Sequence, residues 1–466
     1  MALTTDEEAK VKLIIQAFDN AKQIGDLDLA SMDTAGQYVE LYDSLTGKAS
    51  RMLLSDAVSQ AGAEWCGIRY KDAKTETEVV GSLSMLRQLP TLLNLGGYLV
   101  QNDHSRRKLS PKTHLLLETG EEAVLDGSMG HYQWGWDKPF YYQNFKLAGY
   151  TYETMSFSKR KGFWNYYIPV GSRSASGYAA YDSATQSLKS VGTATVPVFN
   201  KSILTLQTAA HKNGDLWFAN ERVMNFVTGM LKRLIFHNRS IQTDFNANLT
   251  TDGLHQGGTG IGCSESCPWD NGYLPLNALV EDGDALEVGS FKGSTTNKDG
   301  TAKDIEYSAI PNFYGLKNDY KVLWCMSENM LINCNEDGSQ SLYIDDSVGK
   351  TLFNLNSLDG HVLHSRAPYN TEGWEYPKSY NMSHLAFWPS EDGGSQSTYF
   401  GDGYYNPGSK SGLRGVLLLG GGDYGGGVAG SMYADGSDGV GDAYVSWSAF
   451  LCEWAEAFST NPVLAE

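Results

Sequence analysis

Three tyrosines, Tyr424, Tyr433 and Tyr444, are strung through a stretch of Gly, Asp, Ser and Ala near the C-terminal end of the sequence. Asp423, Ser431, Asp435, Ser437, Asp438 and Asp442 lie among them. The chemistry open to such a set is contact rather than bond-breaking. Tyr presents a large amphipathic surface with few rotatable bonds, and Gly and Ser supply an adaptable backbone and hydroxyls, as in antibody paratopes. Tyrosines would act as anchors, with Asp and Ser setting polar specificity. A plain Gly-rich loop with structural tyrosines has the same composition.

Other residues offer different chemistry. Glu372, Glu375, Glu391 and Asp392 are carboxylates that a glycan-cleaving enzyme could use, but that reaction needs a pair held about 5–9 Å apart, which nothing in the sequence sets. Cys263 and Cys267 are close, yet zinc would require two more ligands, so free thiols or one local bridge is the reading. Gly257 to Gly262 lacks the GK[ST] ending of a phosphate loop. The acidic loops at Glu281 to Asp284 and Asp435 to Asp442 could offer oxygens to Ca2+, although neither has EF-hand order. No other cofactor is expected.

At 466 residues the chain can bury a substantial core, and its 27 Tyr and 11 Trp argue for an ordered, loop-rich protein. A net charge of -18 argues against nucleic-acid backbone binding. The opening Asp6-Glu7-Glu8 and the amphipathic pattern after it do not read as a secretory leader, and no apolar run is long enough to predict a membrane crossing.

The elements that must position the tyrosines follow from periodicity. A first helix is expected up to about Lys22, then a hairpin over 38–54 and a short helix from Ser55-Asp56. His131 to Trp136 reads as a strand with its large side chains on one face. Tyr150 to Thr154 and Phe163 to Ile168 read as two strands joined by a basic turn. Lys201 to Ala210 and Asn220 to His237 read as helices. The second has Arg222, Lys232 and Arg233 on its wet face. The region from about 250 to 308 is glycine-rich and weakly periodic. Further strands are expected at Lys321 to Cys325, Gln340 to Ile344, His384 to Trp388, Val416 to Leu419, Tyr444 to Trp447 and Phe450 to Trp454. Trp388, Tyr404 and Tyr405 either border the tyrosine-rich site or pack in the core.

From about residue 120 onward, the chain resembles the C-type-lectin-fold variable proteins of bacteriophages and prophages, which are diversified by diversity-generating retroelements. Four places carry the resemblance. They are Trp164 to Val170 with Ser176-Gly177-Tyr178; the helix from Asn220 with Gly253 to Gly258 after it; Phe313 to Asn318 through Trp324; and Gly412 to Gly415 through Trp447 to Cys452. Lys317 stands where the family usually has Glu. The formylglycine-generating-enzyme superfamily shares this fold, but its paired active-site cysteines have no counterpart here, Cys452 being isolated.

The resemblance implies an α+β chain with a C-type lectin (formylglycine-generating-enzyme-like) fold carrying long loop insertions. Residues 1–75 would form a small N-terminal assembly or virion-attachment domain, 76–119 a connecting strand-rich segment, and 120–466 the ligand-binding domain, with a variable region at about 412–454. It further implies a phage receptor-binding protein of the tail fibre or tail tip, made in the host cytoplasm and carried on the virion. Such a protein would be a homotrimer that contacts other tail proteins and binds a bacterial surface protein or glycan, without nucleic-acid binding, membrane insertion or catalysis. The alternatives are a structural or decorating virion protein with weak adhesion, and a glycan-degrading tail enzyme.

Overall fold

Leu147 and Tyr150 face each other across a two-residue turn, Ala148-Gly149, whose residues have φ of 50° and 80°. Positive φ at both central positions is what a tight hairpin between right-twisted strands demands. This turn joins Phe140–Leu147 to Tyr150–Ser156, so Trp164–Ile168 is left to pair on the far side of Phe140–Leu147. The two strands expected to neighbour each other through the basic turn are therefore separated by a third. The structure, a computed structural model, describes residues 38–43, 48–53, 64–193, 196–260, 273–296, 299–319, 323–349, 351–408, 410–418 and 430–465. The expected helices before residue 38 and after Ser55, and the Cys263/Cys267 pair, lie outside them.

The architecture is mixed α+β, with several sheets and few helices. A six-stranded sheet runs in the order Val463–Leu464, Trp164–Ile168, Phe140–Leu147, Tyr150–Ser156, Trp65–Tyr70, Glu78–Gly81. A seven-stranded sheet runs Trp217–Ala219, Leu451–Trp454, Gly171–Ser174, His131–Trp136, Gly96–Val100, Arg106–Ser110, Thr113–Leu117. Residues 65–119 thus pair directly with strands beyond 120, across the boundaries expected near 75 and 120. At the N-terminal side Tyr38–Asp43 and Lys48–Leu53 form the antiparallel hairpin read from the sequence.

His131–Trp136 is central in its sheet, and all six of its residues are buried, so both of its faces are covered rather than one. Gly96 and Gly135 are cross-strand partners, and Gly171 pairs with Trp136 on one side and Trp454 on the other. A Cβ on Gly171 would stand 2.6 Å from the Trp454 indole, so that glycine makes room for the ring.

The helix Arg222–Phe236 is capped by the Glu221 carboxylate, which accepts the Met224 N–H at 3.1 Å, and ends on His237 in the left-handed conformation (φ 38°). Its apolar face shares one core with Tyr142 and Ile168, Trp134 and Trp136, and Ile332 and Val416, residues drawn from three sheets. The expected wet face does not exist: every residue of the helix is buried. Arg233 forks onto the Glu153 carboxylate (2.7 Å from Nη2), which also accepts the hydroxyls of Tyr70 and Tyr142 at 3.1 Å. Lys232 pairs with Asp319, and Arg222 donates to the carbonyls of His384, Leu385 and Asp345. Buried charges persist only when paired and hydrogen-bonded in this way.

The weakly periodic region holds a long hairpin, Leu286–Thr296 with Ala302–Phe313. Lys317, just beyond it, is buried. Its ammonium lies 2.7 Å from His114 Nδ1 and 2.9 Å from the Tyr132 hydroxyl, while His114 Nε2 meets Asp284 at 2.8 Å. Burial pushes the Lys317 pKa down to about 7. The segment expected as a strand at His384 to Trp388 is instead a helical turn, Ser383–Leu385, followed by the strand Trp388–Glu391.

Candidate binding face

An eight-stranded sheet carries the C-terminal stretch. Val362–Arg366, Gln340–Ile344, Trp324–Cys334 and Gly412–Leu418 precede Ala434–Asp435, Tyr404–Asn406 and Gly373–Glu375. Trp447–Ser448 pairs in parallel with the start of Trp324–Cys334. The expected strand at Tyr444 to Trp447 is reduced to this short pairing.

The register decides which side chains meet. Trp374, Tyr405, Asp435 and Leu417 are partners in one row, and Glu375, Tyr404, Ala434 and Leu418 in the next. Cross-strand partners share a face and successive residues alternate. Tyr404 therefore goes inside, where its hydroxyl donates to Gln340 and its ring meets Trp388 edge-on at 5.2 Å. Trp388 and Tyr404 are core residues, and Tyr405 joins Trp374 on the other face.

There the aromatic rings form two groups, Trp374, Tyr405, Tyr433 and Trp324 in one and Trp447 with Tyr444 in the other, brought side by side by the Trp324–Trp447 strand pairing. Trp374 lies 5.2 Å from Tyr405 and stacks on Tyr433 at 5.0 Å with 1° between the planes. Tyr433 stacks in turn on Trp324 at 4.9 Å and 15°. Trp447 is the cross-strand partner of Trp324, and Tyr444 stands edge-on to it at 4.6 Å. The two ends of this ridge reach the surface, with Trp374 41% exposed and Tyr444 50% exposed. Such an arrangement offers large apolar faces held rigid from beneath, which can lie against an apolar patch of a protein or of another ring-shaped ligand.

Of the acidic groups singled out from the sequence, Asp435 is the cross-strand partner of Tyr405. The Asp435 carboxylate accepts the Ser437 N–H at 2.8 Å. Burial nonetheless pushes its pKa up to about 6, the Ser437 bonds opposing the shift. Burial also raises Asp438, whose carboxylate accepts the Ser437 hydroxyl at 3.3 Å. Asp442 accepts the Gly439 N–H at 2.7 Å. Tyr405 donates to Glu372 at 3.0 Å, and Glu375 is raised first by burial and then by the charge of Asp392. Glu391 sits 3.5 Å from Lys378. Among the described residues no three His, Cys, Asp or Glu side chains converge as a metal site. In the acidic loop at Glu281 to Asp284, Asp284 binds His114 and accepts the Gly97 N–H.

The residues singled out from the sequence divide by position. Asp423 and Tyr424 lie outside the described residues. Ser431 is buried against the long helix, where a Cβ on Gly229 would meet its hydroxyl at 2.4 Å, so it packs rather than faces outward. Tyr433 is 1% exposed, which corrects its reading as an exposed anchor: it is the support beneath Trp374. Asp435, Ser437 and Asp438 are half-buried along the edge, and Asp442 and Tyr444 are exposed. The reason is the strand Ala434–Asp435, which carries its neighbours under the ridge before the chain turns outward.

Sequence reasoning missed Trp374 and the stacking of Trp324. The signal was a tryptophan set between Gly373 and Glu375 in a polar stretch, where nothing local gives an indole a core to enter. No protein-family model matches the chain, and a search of curated proteins returned no match.

Proposed function

We propose that this protein is a receptor-binding protein of a phage virion, placed at a tail fibre or tail tip, and that the aromatic ridge is its contact surface for a bacterial surface glycan or protein. The observation that carries the reading is the stacking of half-exposed Trp374 on buried Tyr433, continued through Trp324. Interfaces concentrate their energy in a few aromatic anchors backed by packed, water-free neighbours. Trp374 and Tyr444 are such anchors, and Asp435, Ser437, Asp438 and Asp442 form the polar rim beside them.

The resemblance of four segments to C-type-lectin-fold variable proteins supports the phage assignment and the lectin-like reading of the C-terminal part. In that reading, residues 1–75 attach a homotrimer to the tail. The action proposed is binding without bond cleavage. Two of the carboxylates that a glycan-cleaving reading would use, Glu372 and Glu391, are engaged by Tyr405 and Lys378. The test is adsorption of purified protein to a panel of bacterial strains, with and without Trp374→Ala. Strain-selective binding that the substitution removes supports the reading; strain-selective binding that it leaves intact moves the contact surface elsewhere.

A further inference from the structure

A cleft of about 580 Å³ opens where the long helix ends. Its walls are the segment Thr75-Glu76, the helix exit from Phe236 to Asp244, Gln256-Gly257 and Gln396-Ser397. None of the ridge aromatics lines it. The loop that joins Trp65–Tyr70 to Glu78–Gly81 is tied to the helix exit on both sides, with Thr77 N–H donating to the His237 carbonyl at 2.9 Å and Arg239 N–H to the Thr75 carbonyl at 2.7 Å. The walls are therefore fixed by main-chain bonds, and the cleft is built into the fold.

Gln242 lines the cleft, is 2% exposed, and has neither its amide nitrogen nor its amide oxygen hydrogen-bonded. That amide lies against two glycines, beside the Asp402 carboxylate. A Cβ on Gly430 would stand 2.5 Å from its Oε1, and one on Gly401 would stand 3.1 Å from its Nε2. His237, on the same cleft, has an unpartnered Nε2. Buried polar atoms are almost always bonded to protein, water or ligand. An amide that both donates and accepts, beside an imidazole nitrogen, matches groups that do the same.

The rest of the lining narrows the chemistry. Ser240, Thr243, Gln256 and Gln396 add hydroxyls and amides, and the formal charges on the lining, Glu76 and Asp244, are acidic. An anion would be repelled; a neutral ring carrying hydroxyls would find a donor or acceptor in most directions. We infer that the cleft is a binding site for one neutral saccharide residue, seated between Gln242 and His237 and separate from the aromatic ridge. The inference does not require the virion reading, because it rests on this cleft alone.

The probe is a set of methyl glycosides of glucose, galactose, mannose, fucose and N-acetylglucosamine, with methyl glucuronide as the anionic control. Saturation-transfer NMR on the full chain reads the contact, and a single sugar is expected to bind with Kd on the order of 1 mM. At least one neutral glycoside should receive magnetisation from the wild type. The signal should fall at least about tenfold in Gln242→Leu and in His237→Asn, and stay unchanged in Lys292→Gln, an exposed position of the long hairpin away from both sites. His237→Asn keeps a residue type that tolerates the left-handed backbone there, so it carries the test alone if Gln242→Leu does not fold. No transfer to any neutral glycoside, a preference for the glucuronide, or a signal that survives His237→Asn would overturn the inference. Loss of signal in Trp374→Ala alone would assign the sugar to the ridge and overturn it as well. Cell adsorption through the ridge is read separately, so the two sites can fail independently.

Discussion

The indole of Trp374 lies parallel to the ring of Tyr433, 5.0 Å away, with one ring 41% exposed and the other 1% exposed. The pair separates two roles that tyrosine-rich stretches usually mix. Tyr433 supplies rigidity and Trp374 supplies surface. Replacing each by Ala should therefore give opposite signatures. Trp374→Ala should leave the urea midpoint nearly unchanged and weaken ligand or cell binding by about 2 kcal/mol or more. Tyr433→Ala empties a packed site and should cost about 3–5 kcal/mol of stability. Equal stability losses in the two variants would mean that Trp374 is also a core residue.

The Arg233–Glu153 pair joins the long helix to the six-stranded sheet with both side chains buried. Burial works against the Arg233 charge, but the carboxylate of Glu153 and its hydrogen bonds more than restore it, and the pKa lies above the ordinary value. Arg233→Met strands a buried carboxylate and should cost about 3–5 kcal/mol in equilibrium denaturation. Arg233→Met combined with Glu153→Leu should recover much of that loss. A double variant as unstable as the single one would show that the packing around the pair, rather than the stranded charge, sets the cost.

Lys317 should make stability depend on pH above neutrality. Its pKa is lowered to about 7 in the folded chain, against 10.5 for an ordinary lysine. Between those values the unfolded chain binds the proton and the folded chain does not, so stability rises with pH. His114, which faces it, is itself held down to about 4 by burial and is already neutral there. The thermal midpoint should climb from pH 7 to about pH 9 in the wild type, and Lys317→Met should flatten that climb. An equal climb in both proteins would contradict the assignment.

Asp435 has the opposite sense. Its folded pKa of about 6 exceeds the ordinary 3.8, so the folded chain holds the proton more tightly. Stability from this group is present at low pH and is lost as pH rises from about 4 through about 6. Asp435→Asn keeps an oxygen for the Ser437 N–H and removes the charge. It should raise the thermal midpoint at neutral pH and change it little below pH 4. A lower midpoint at neutral pH would show that the carboxylate stabilises the loop as an anion.

Much of the element order is legible from local pattern. The spacing of Val223, Phe226, Val227, Met230, Leu231 and Leu234 marks the long helix, and short apolar runs mark only the end of Gly412–Leu418 and the start of Trp324–Cys334. What local pattern misses is set by distant residues. Lys232 and Arg233 read as solvent-facing because their partners, Asp319 and Glu153, lie about 80 residues or more away. The hairpin Leu286–Thr296 with Ala302–Phe313 escapes notice because Gly289 and Gly293 break its alternation. In the site, Tyr405 and Tyr404 are adjacent and chemically identical, and only the pairing of Tyr405 with Trp374 and Asp435 tells which faces outward. Tyr433 looked like an anchor because composition carries no depth.

The most direct measurement is adsorption to a panel of bacterial strains by the wild type, Trp374→Ala and the double variant Trp374→Ala/Tyr444→Ala, each first shown to keep the wild-type thermal midpoint. The expected result is strain-selective binding by the wild type, weakened by at least about tenfold in the single variant and abolished in the double one. Undiminished strain-selective binding by the double variant would contradict the assignment of the aromatic ridge as the receptor-contact surface.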